Sequence, residues 1–354
     1  MTERENLLAL LRHEPYDHIP VEFNLCPALE QTYREREHQP EQSYADYFSF
    51  PWRNVKGLVQ DDPDLTRFLP YFEGLMNDRV TIDSMGVGHE STPTSMHMTK
   101  MICPLRNAET VEEILAYPMP SFSAEKNTGL AAEVQALHDR GVASTGNMQC
   151  TVWETAWYIR GMENLMMDMM TDEEMAAAML DRVTEMSLQR ALLYARAGVD
   201  ILYLGDDIGM QNSVMMSREL YLQWIQPRLK KIITAVKAER PDLIVFYHSC
   251  GYVEPFIDDL IDAGIDVLNP IQSECMDFAS IYKKYHDRLC FHGTIGTQTV
   301  MPFGTPDEVY QAVRRNLDAA FDGGLLVAPT HMLEPEVPWE NVLAYVRACR
   351  EYRP

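Results

Sequence analysis

Hydrophobic positions along the chain group into short β-rich runs, each bounded by turn-forming residues. Eight such runs are HIPVEF, DRVTID, GVASTGNM, VDILYLGDD, LIVFYHSCG, IDVLNPIQ, LCFHGTIG and LLVAPTHM, which begin at residues 18, 78, 141, 199, 243, 265, 289 and 325. From Asp200 onward the runs are almost continuously apolar, as expected for parallel strands that are covered on both faces. The pattern therefore predicts eight strands.

Amphipathic segments with helical spacing separate the later runs. They are SRELYLQWIQPRLKKIITAVKAE, YVEPFIDDLIDAG, MDFASIYKKYH and TPDEVYQAVRRNLDAAFDGG, which begin at residues 217, 252, 276 and 305. Such alternation is typical of parallel βαβ units. It predicts an α/β fold, a closed (β/α)8 TIM barrel. The rival is a doubly wound sheet, but no G-x-G-x-x-G motif follows a first strand.

The N-terminal part of the chain is harder to interpret. The stretch from Pro40 to Arg79 is polar, aromatic and irregular. We expect residues 1–80 to form an extension of helices and loops packed on the barrel. Because the sequence has neither an internal repeat nor a low-complexity linker, a single domain over residues 1–354 is the simplest division.

Polar side chains collect where the predicted strands end, which is the face of a (β/α)8 barrel that carries the chemistry. They are Gln149, Glu154, Asp206, Asp207, Gln211, His248, Cys250, Asn269, Gln272, His292, Gln298, His331 and Glu334.

His248 and Cys250 end the fifth run two residues apart, and residues i and i+2 of a strand point to the same side. An imidazole and a thiolate together favour zinc, which at a catalytic site takes three protein ligands and keeps one position open. We expect His331 to be the third ligand. The alternatives are Glu154, Cys275, Cys290 and His292.

Structural roles compete with these interpretations. A histidine and a cysteine two residues apart form a weak pattern, because both occur in ordinary cores. Asp206 and Asp207 could cap a following helix, although Gly205 and Gly209 bracket them as in a tight active-site loop. Gln272 could simply bind loop backbone.

Composition narrows the class of protein. With 46% hydrophobic and 23% charged residues, the chain is typical of a globular protein with a sizeable core. The formal charge of −23 argues against nucleic acid and anionic membranes as partners. Seven cysteines, an odd number, indicate a reducing compartment rather than a disulfide framework. The N-terminus has no signal-peptide core, and we expect a cytoplasmic protein.

Three segments give the chain a family resemblance. They are GDDIGMQNSVMMSRELYLQWIQPRLKKI, HSCGYVEPFIDDLIDAGIDVLNPIQ and GGLLVAPTHMLEPEVPWENV, beginning at residues 205, 248 and 323. They resemble the uroporphyrinogen decarboxylase superfamily, and within it the branch of zinc- and corrinoid-dependent methyltransferases. The resemblance extends from Ala143 to Ala348 and supports the (β/α)8 fold.

The resemblance implies that His248 and Cys250 bind zinc. His331 stands where thiol-methylating members have a second cysteine, so the metal would be more Lewis acidic. That difference favours demethylation of an O- or N-methyl substrate over thiol methylation.

The resemblance also implies roles for the neighbouring side chains and for a partner. We expect Asp207 and Glu154 to act in catalysis. Substrate would contact Asp206, Gln211, Asn269, Gln272 and His292. Because the chain lacks a D-x-H-x-x-G element, the cobalamin would be carried by a separate corrinoid protein, and the family suggests a homodimer.

Two other functions stay open at this point. A metal-free carboxy-lyase like uroporphyrinogen decarboxylase could use Asp207 or Asp83, but the family's arginine-rich segment after the first strand is replaced here by VEFNLCPALEQ. The third possibility is a barrel without catalytic activity that binds a metal or a partner.

Overall fold

The computed structural model of the chain describes residues 1–91 and 99–353. Its strands are β1 Trp52–Asn54, β2 Val80–Ile82, β3 Gly88–Ser91, β4 Thr99–Ile102, β5 Ala143–Gln149, β6 Ile201–Gly205, β7 Ile244–His248, β8 Val267–Asn269, β9 Cys290–His292 and β10 Leu325–Leu326.

The α-helices that precede β6 are α1 Glu3–Leu10, α2 Pro27–Arg36, α3 Tyr44–Tyr47, α4 Val111–Ala116, α5 Leu130–Asp139, α6 Trp153–Arg160, α7 Met162–Thr171 and α8 Glu173–Ala197. Those that follow β6 are α9 Arg218–Leu220, α10 Gln226–Glu239, α11 Ile257–Ala263, α12 Phe278–Tyr285, α13 Val300–Phe303, α14 Pro306–Ala319 and α15 Trp339–Glu351. A π-helical turn, Tyr221–Ile225, joins α9 to α10, and 3-10 turns occupy Leu65–Phe72 and Glu254–Phe256.

Seven of the strands form one parallel sheet in the order β1-β5-β6-β7-β8-β9-β10. The six predicted runs from residue 141 onward each contain one of these strands, and the four predicted helical segments contain α9 with α10, α11, α12 and α14. The predicted alternation of parallel strands and helices is therefore confirmed for the C-terminal two thirds of the chain.

The first two predicted strands do not belong to this sheet, so the prediction was wrong for them. The run at 78–83 forms β2, which pairs with β3 and β4 in a separate antiparallel sheet. Its single buried residue, Val80, beside an exposed Thr81, fits a ribbon that is covered on one face only. The run at 18–23 lies outside the ladder, and Pro20 within it has no N–H to donate to a neighbouring strand. Short strand β1 was missed.

The parallel sheet is curled. Its inner face supplies at least one apolar residue from each of β5 to β10 to a cluster with α1, whose Leu7 and Leu10 are fully buried or nearly so. Across the interior, the Trp52 ring of β1 lies 5.1 Å from the Phe246 ring of β7 and 5.3 Å from the His292 ring of β9, measured between centroids. Strands far apart in the sheet order therefore face each other, with α1 closing the N-terminal end.

The segment that precedes α2 pairs with the chain that follows the last strand of the sheet. The Leu333 N–H donates to the Asn24 carbonyl at 2.8 Å, and the Cys26 N–H donates to the Leu333 carbonyl at 3.0 Å. Leu25 and Leu333 accordingly form a parallel bridge. Residues 24–26 thus run beside the chain that continues from β10.

None of the helices in the described ranges is both long and apolar enough to cross a bilayer.

Candidate active site

The candidate site lies at the carboxyl ends of β6, β7 and β8, where the backbone must pass from strand into loop. Gly205 ends β6 directly beside His248, which ends β7. A Cβ atom on Gly205 would lie 2.7 Å from the Cβ and the carbonyl oxygen of His248. A Cβ atom on Gly209 would likewise lie 2.7 Å from the Cys250 carbonyl oxygen. These two glycines allow the loops after β6 and β7 to pack backbone against backbone.

Three potential metal ligands meet there. The His248 Nε2 atom lies 3.4 Å from the Cys250 Sγ atom and 3.6 Å from the Asp207 Oδ1 atom. One ligand atom from each residue lies within 4.8 Å of the other two, and no other set of three or more histidine, cysteine or acidic side chains in the described ranges meets this condition. A nitrogen, a sulfur and an oxygen at this spacing fit a zinc ion.

Burial sets the protonation of these groups. It lowers the pKa of the His248 imidazole, which leaves the ring neutral and able to act as a ligand at pH 7. Burial, reinforced by the charges of Asp207 and Glu154, raises the pKa of the Cys250 thiol to about 12. The thiol therefore stays protonated unless a cation takes the place of its proton.

The His331 side chain does not belong to this trio of ligands. It is exposed and lies on the wall of the adjoining cavity, five residues beyond the end of β10. Parallel bridges at Pro329 and Leu333 hold the chain on either side of it. The structure therefore brings Asp207, rather than His331, next to His248 and Cys250.

A cavity of about 440 Å³ adjoins Cys250. Gln211 and Gln272, which the sequence analysis expected to contact substrate, line it, and so does His331, which was expected to bind the metal. Gln272 also accepts the Gly251 N–H at 2.9 Å through its Oε1 atom, so it stabilises the loop that carries Cys250.

The other lining side chains include Gln298, Phe303, Glu334 and Glu336. No arginine or lysine of the described residues lines this cavity, so it offers no cation to a carboxylate-rich ligand.

Asp206 is a buried residue that binds the start of α6. Asp206 is fully buried, and its carboxylate accepts the N–H groups of Val152 and Glu154 at the start of α6 at 2.9–3.1 Å. Burial raises the pKa of Asp206 to about 8, against the effect of these donors. Asp206 lies outside the cavity lining, and its contacts are those of a residue that holds α6 in place.

Glu154 accepts hydrogen bonds from the Asp207 backbone and from the Tyr158 side chain. Its Oε2 atom accepts the Asp207 N–H at 3.1 Å, and its Oε1 atom accepts the Tyr158 hydroxyl at 2.8 Å. Burial raises the pKa of Glu154, and the charge of Asp207 acts in the same direction. Asp207 in turn accepts the Cys250 N–H at 2.7 Å.

Asn269 and His292 lie behind the ligands instead of in the cavity. The His248 Nδ1 atom is 2.7 Å from the Asn269 Oδ1 atom, and Asn269 also binds Tyr203 and His292. His292 is buried against Glu22 at 3.0 Å. Neither Asn269 nor His292 lines the cavity, and the substrate-binding role that the sequence analysis expected for them stays a prediction.

Sequence reasoning missed Glu22, Tyr203 and Tyr158 as parts of the site. Glu22 had a usable signal, because a carboxylate between the apolar Val21 and Phe23 in a β-rich run is a candidate for a buried, partnered charge. Tyr203 and Tyr158 had none, since tyrosine is ordinary in strands and helices alike.

Comparison with protein families matches residues 82–352 to the family described as uroporphyrinogen decarboxylase (URO-D). One curated relative is a methylated-thiol–coenzyme M methyltransferase of Methanosarcina mazei, 27% identical over 201 residues, which are 55% of this chain and 50% of that protein. Another is a uroporphyrinogen decarboxylase of Chlorobium limicola, 27% identical over 143 residues, 40% of this chain and 38% of that protein. The chain thus matches half or less of the length of each.

Among solved structures, a methyltransferase from Methanosarcina mazei superposes with a TM-score of 0.70 at 19% identity. The superposition covers 99% of both chains. At this identity the similarity establishes a shared fold.

Proposed function

The chain belongs to the uroporphyrinogen decarboxylase (URO-D) family, and from this premise we propose that it is a zinc-dependent methyltransferase. It would move a methyl group between a small methylated substrate and a corrinoid carried by a separate protein. The observation that carries this proposal is the convergence of His248, Cys250 and Asp207 beside a cavity. The name of the Methanosarcina mazei relative, a methyltransferase, supports the same reaction class.

We propose His248, Cys250 and Asp207 as the residues that hold the zinc, with His331 as the ligand in reserve. When bound, zinc supplies Lewis acidity, which polarises a ligand and lowers its pKa. Glu154 keeps Asp207 in place through the Asp207 N–H. Burial raises the pKa of Glu154, and we propose that its carboxyl group assists catalysis beside Asp207.

The donor set bears on the substrate. A ligand set of one sulfur, one nitrogen and one oxygen donates less electron density to a metal than a set with two thiolates does. The metal is therefore more Lewis acidic. We therefore propose an O- or N-methyl substrate whose leaving group needs such assistance. A methylated thiol is the second candidate, because the name of the Methanosarcina mazei relative specifies one.

A carboxy-lyase activity has less support, although one matched relative is a uroporphyrinogen decarboxylase. The cavity has no lining arginine or lysine among the described residues, whereas Glu334 and Glu336 do line it. Their negative charges would repel a substrate with many carboxylates. We therefore rank the decarboxylase second among the enzymatic functions.

We also propose the larger architecture that this function needs. Residues 18–25, of which Asn24 and Leu25 pair with Leu333 beyond β10, would occupy the eighth position and close the sheet into a complete barrel. A single domain over residues 1–354, a homodimer, and a cytoplasmic location stay predictions.

The test combines metal analysis with an activity assay. Protein purified without a histidine tag should contain about one zinc per chain, and Cys250→Ala should contain almost none. The zinc-loaded wild type should methylate cob(I)alamin from a panel of O-methyl, N-methyl and S-methyl donors, and the preferred class identifies the substrate. Unchanged zinc content in Cys250→Ala, or zinc-loaded protein that never methylates cob(I)alamin, contradicts the proposal. In the second case, partner binding without turnover would indicate a barrel without catalytic activity.

A further inference from the structure

A row of buried polar groups runs from the N-terminal segment to the candidate ligand His248. Glu22 Oε2 lies 3.0 Å from His292 Nε2, the Asn269 side-chain amide nitrogen contacts His292 Nδ1, and Asn269 Oδ1 lies 2.7 Å from His248 Nδ1. Glu22, His292 and Asn269 are each at most 5% exposed. The opposite nitrogen of His248, Nε2, faces Cys250 and Asp207.

The chemistry of each group determines which atom donates and which accepts at every contact in this row. A carboxylate can only accept, so the proton between Glu22 and His292 sits on His292 Nε2. The Asn269 amide nitrogen can only donate, so His292 Nδ1 accepts from it through a lone pair. The Asn269 carbonyl oxygen consequently faces His248 and accepts its Nδ1–H. That arrangement leaves the lone pair of His248 on Nε2.

The contacts of Asn269 support this orientation of its amide group. The amide nitrogen is also 3.4 Å from the His292 carbonyl oxygen, which can only accept. The amide oxygen is the partner of the Tyr203 hydroxyl. Burial raises the pKa of Tyr203 well above its usual value, so the hydroxyl keeps its proton and donates. Reversing the amide would set oxygen against oxygen at His292.

We propose that Glu22 is a positioning residue that fixes the tautomer of His248. Acting through His292 and Asn269, it keeps Nε2 unprotonated and directed at the candidate metal position. This inference rests on the proposed function for its purpose, because a metal needs that lone pair. Glu22 lies outside residues 82–352, the part of the chain that matches the URO-D family, so the family match does not point to it.

The first experiment tests the tautomer directly, without metal or activity. Nitrogen-15 NMR of metal-free protein with labelled histidine separates protonated from unprotonated ring nitrogens, and His248→Gln assigns the signals. We expect His248 to carry its proton on Nδ1 in wild type and to show both tautomers in Glu22→Gln, because a glutamine amide can either accept from His292 or donate to it. A wild-type His248 protonated on Nε2 would overturn the inference, whatever the enzyme's activity.

The second experiment measures zinc affinity by competition with a chelator. Glu22→Gln should bind zinc about tenfold more weakly than wild type, the usual effect of losing an outer hydrogen-bond partner of a metal ligand. Asn269→Asp gives His248 Nδ1–H a carboxylate directly, so adding Glu22→Gln to that variant should change the affinity little. A tenfold loss in both backgrounds would show that Glu22 does not act through Asn269.

The matched control is Asp168→Asn. Asp168 forms a buried ion pair with Arg160 at 2.8 Å, away from the site, with side-chain exposures of 9% and 7%. It should lower the stability of the fold but leave the His248 tautomer and the zinc affinity unchanged. Equal zinc affinity of Glu22→Gln and wild type overturns the inference while the proposed methyl transfer stands. A wild type that binds no zinc removes the proposed function, and the NMR result alone then decides whether Glu22 sets the tautomer.

Discussion

At the scale of single residues, the site depends on which side chain completes the set that begins with His248 and Cys250. Asp207 Oδ1 is 3.6 Å from His248 Nε2 and already binds the Cys250 backbone. His331 is exposed on the cavity wall. Because a ligand close to its final position costs less to organise, we expect Asp207 to contribute more to zinc affinity than His331.

Two variants test this expectation. Asp207→Asn replaces an anionic oxygen ligand with a weaker neutral one and should reduce zinc affinity at least tenfold, whereas His331→Ala should change it less than threefold. The measurement is a competition titration with a chromophoric chelator, with Cys250→Ala as the positive control. The reverse order of effects would mean that the chain around His331 moves inward on metal binding and supplies the third ligand that the sequence analysis expected.

At the scale of elements, the approach of β6 and β7 decides where His248 sits. Gly205 pairs with His248 across these strands, and its missing side chain leaves room for the His248 backbone. A backbone atom cannot move aside as the end of a flexible side chain can. The glycine is therefore required by close approach between two strands, and it indirectly places the ligand.

Gly205→Ala should accordingly separate β6 from β7. We expect a loss of about 2 kcal/mol in the free energy of unfolding from overpacking, together with weaker zinc binding. Urea denaturation and zinc titration measure the two effects. Gly57→Ala is the matched control, because a Cβ atom there would meet nothing within 4 Å. If both variants behave like wild type, strand spacing at Gly205 does not position the site.

At the scale of the whole molecule, Asp200 connects several elements at the end of the sheet opposite the site. This carboxylate, 3% exposed, accepts from Arg4 of α1 at 2.7 Å, from the Ser144 N–H of β5 at 3.0 Å, and lies 2.8 Å from His138 of α5. Burial alone would raise its pKa, but Arg4 and Ser144 outweigh that effect and lower it. Asp200 thus joins three elements beside β6.

The lowered pKa predicts how stability depends on pH. An acid whose pKa is lower in the folded state stabilises the fold above its unfolded pKa, and this contribution disappears as the pH falls through the folded pKa. Asp200→Asn should therefore cost about 2 kcal/mol at pH 7, and the difference from wild type should shrink below about pH 3.8, the ordinary Asp value. Urea midpoints from pH 7 to pH 3 measure it. A difference that is constant over this range would show that the charge of Asp200 does not contribute.

Much of the architecture could be predicted from local sequence patterns. The nearly continuous apolar runs from Asp200 onward identified parallel strands, because both faces of such strands are covered, and the helical spacing after residue 217 identified their partners. The neighbouring positions of His248 and Cys250 come from the chain itself, since only Ser249 lies between them. These features depend on interactions within a few residues, which is why a single sequence contains them.

Contacts between distant residues were decided only by the tertiary structure. Glu22 meets His292 across 270 positions of sequence, and Asp207 approaches His248 from a neighbouring strand. The run at 78–83 joined a separate antiparallel sheet although its pattern resembled that of the other strands. The sequence by itself determined which residue types stand at the strand ends. Which of them meet, Asp207 with His248 rather than His331, depends on how the sheet curls and how closely its loops pack, and no local pattern encodes that geometry.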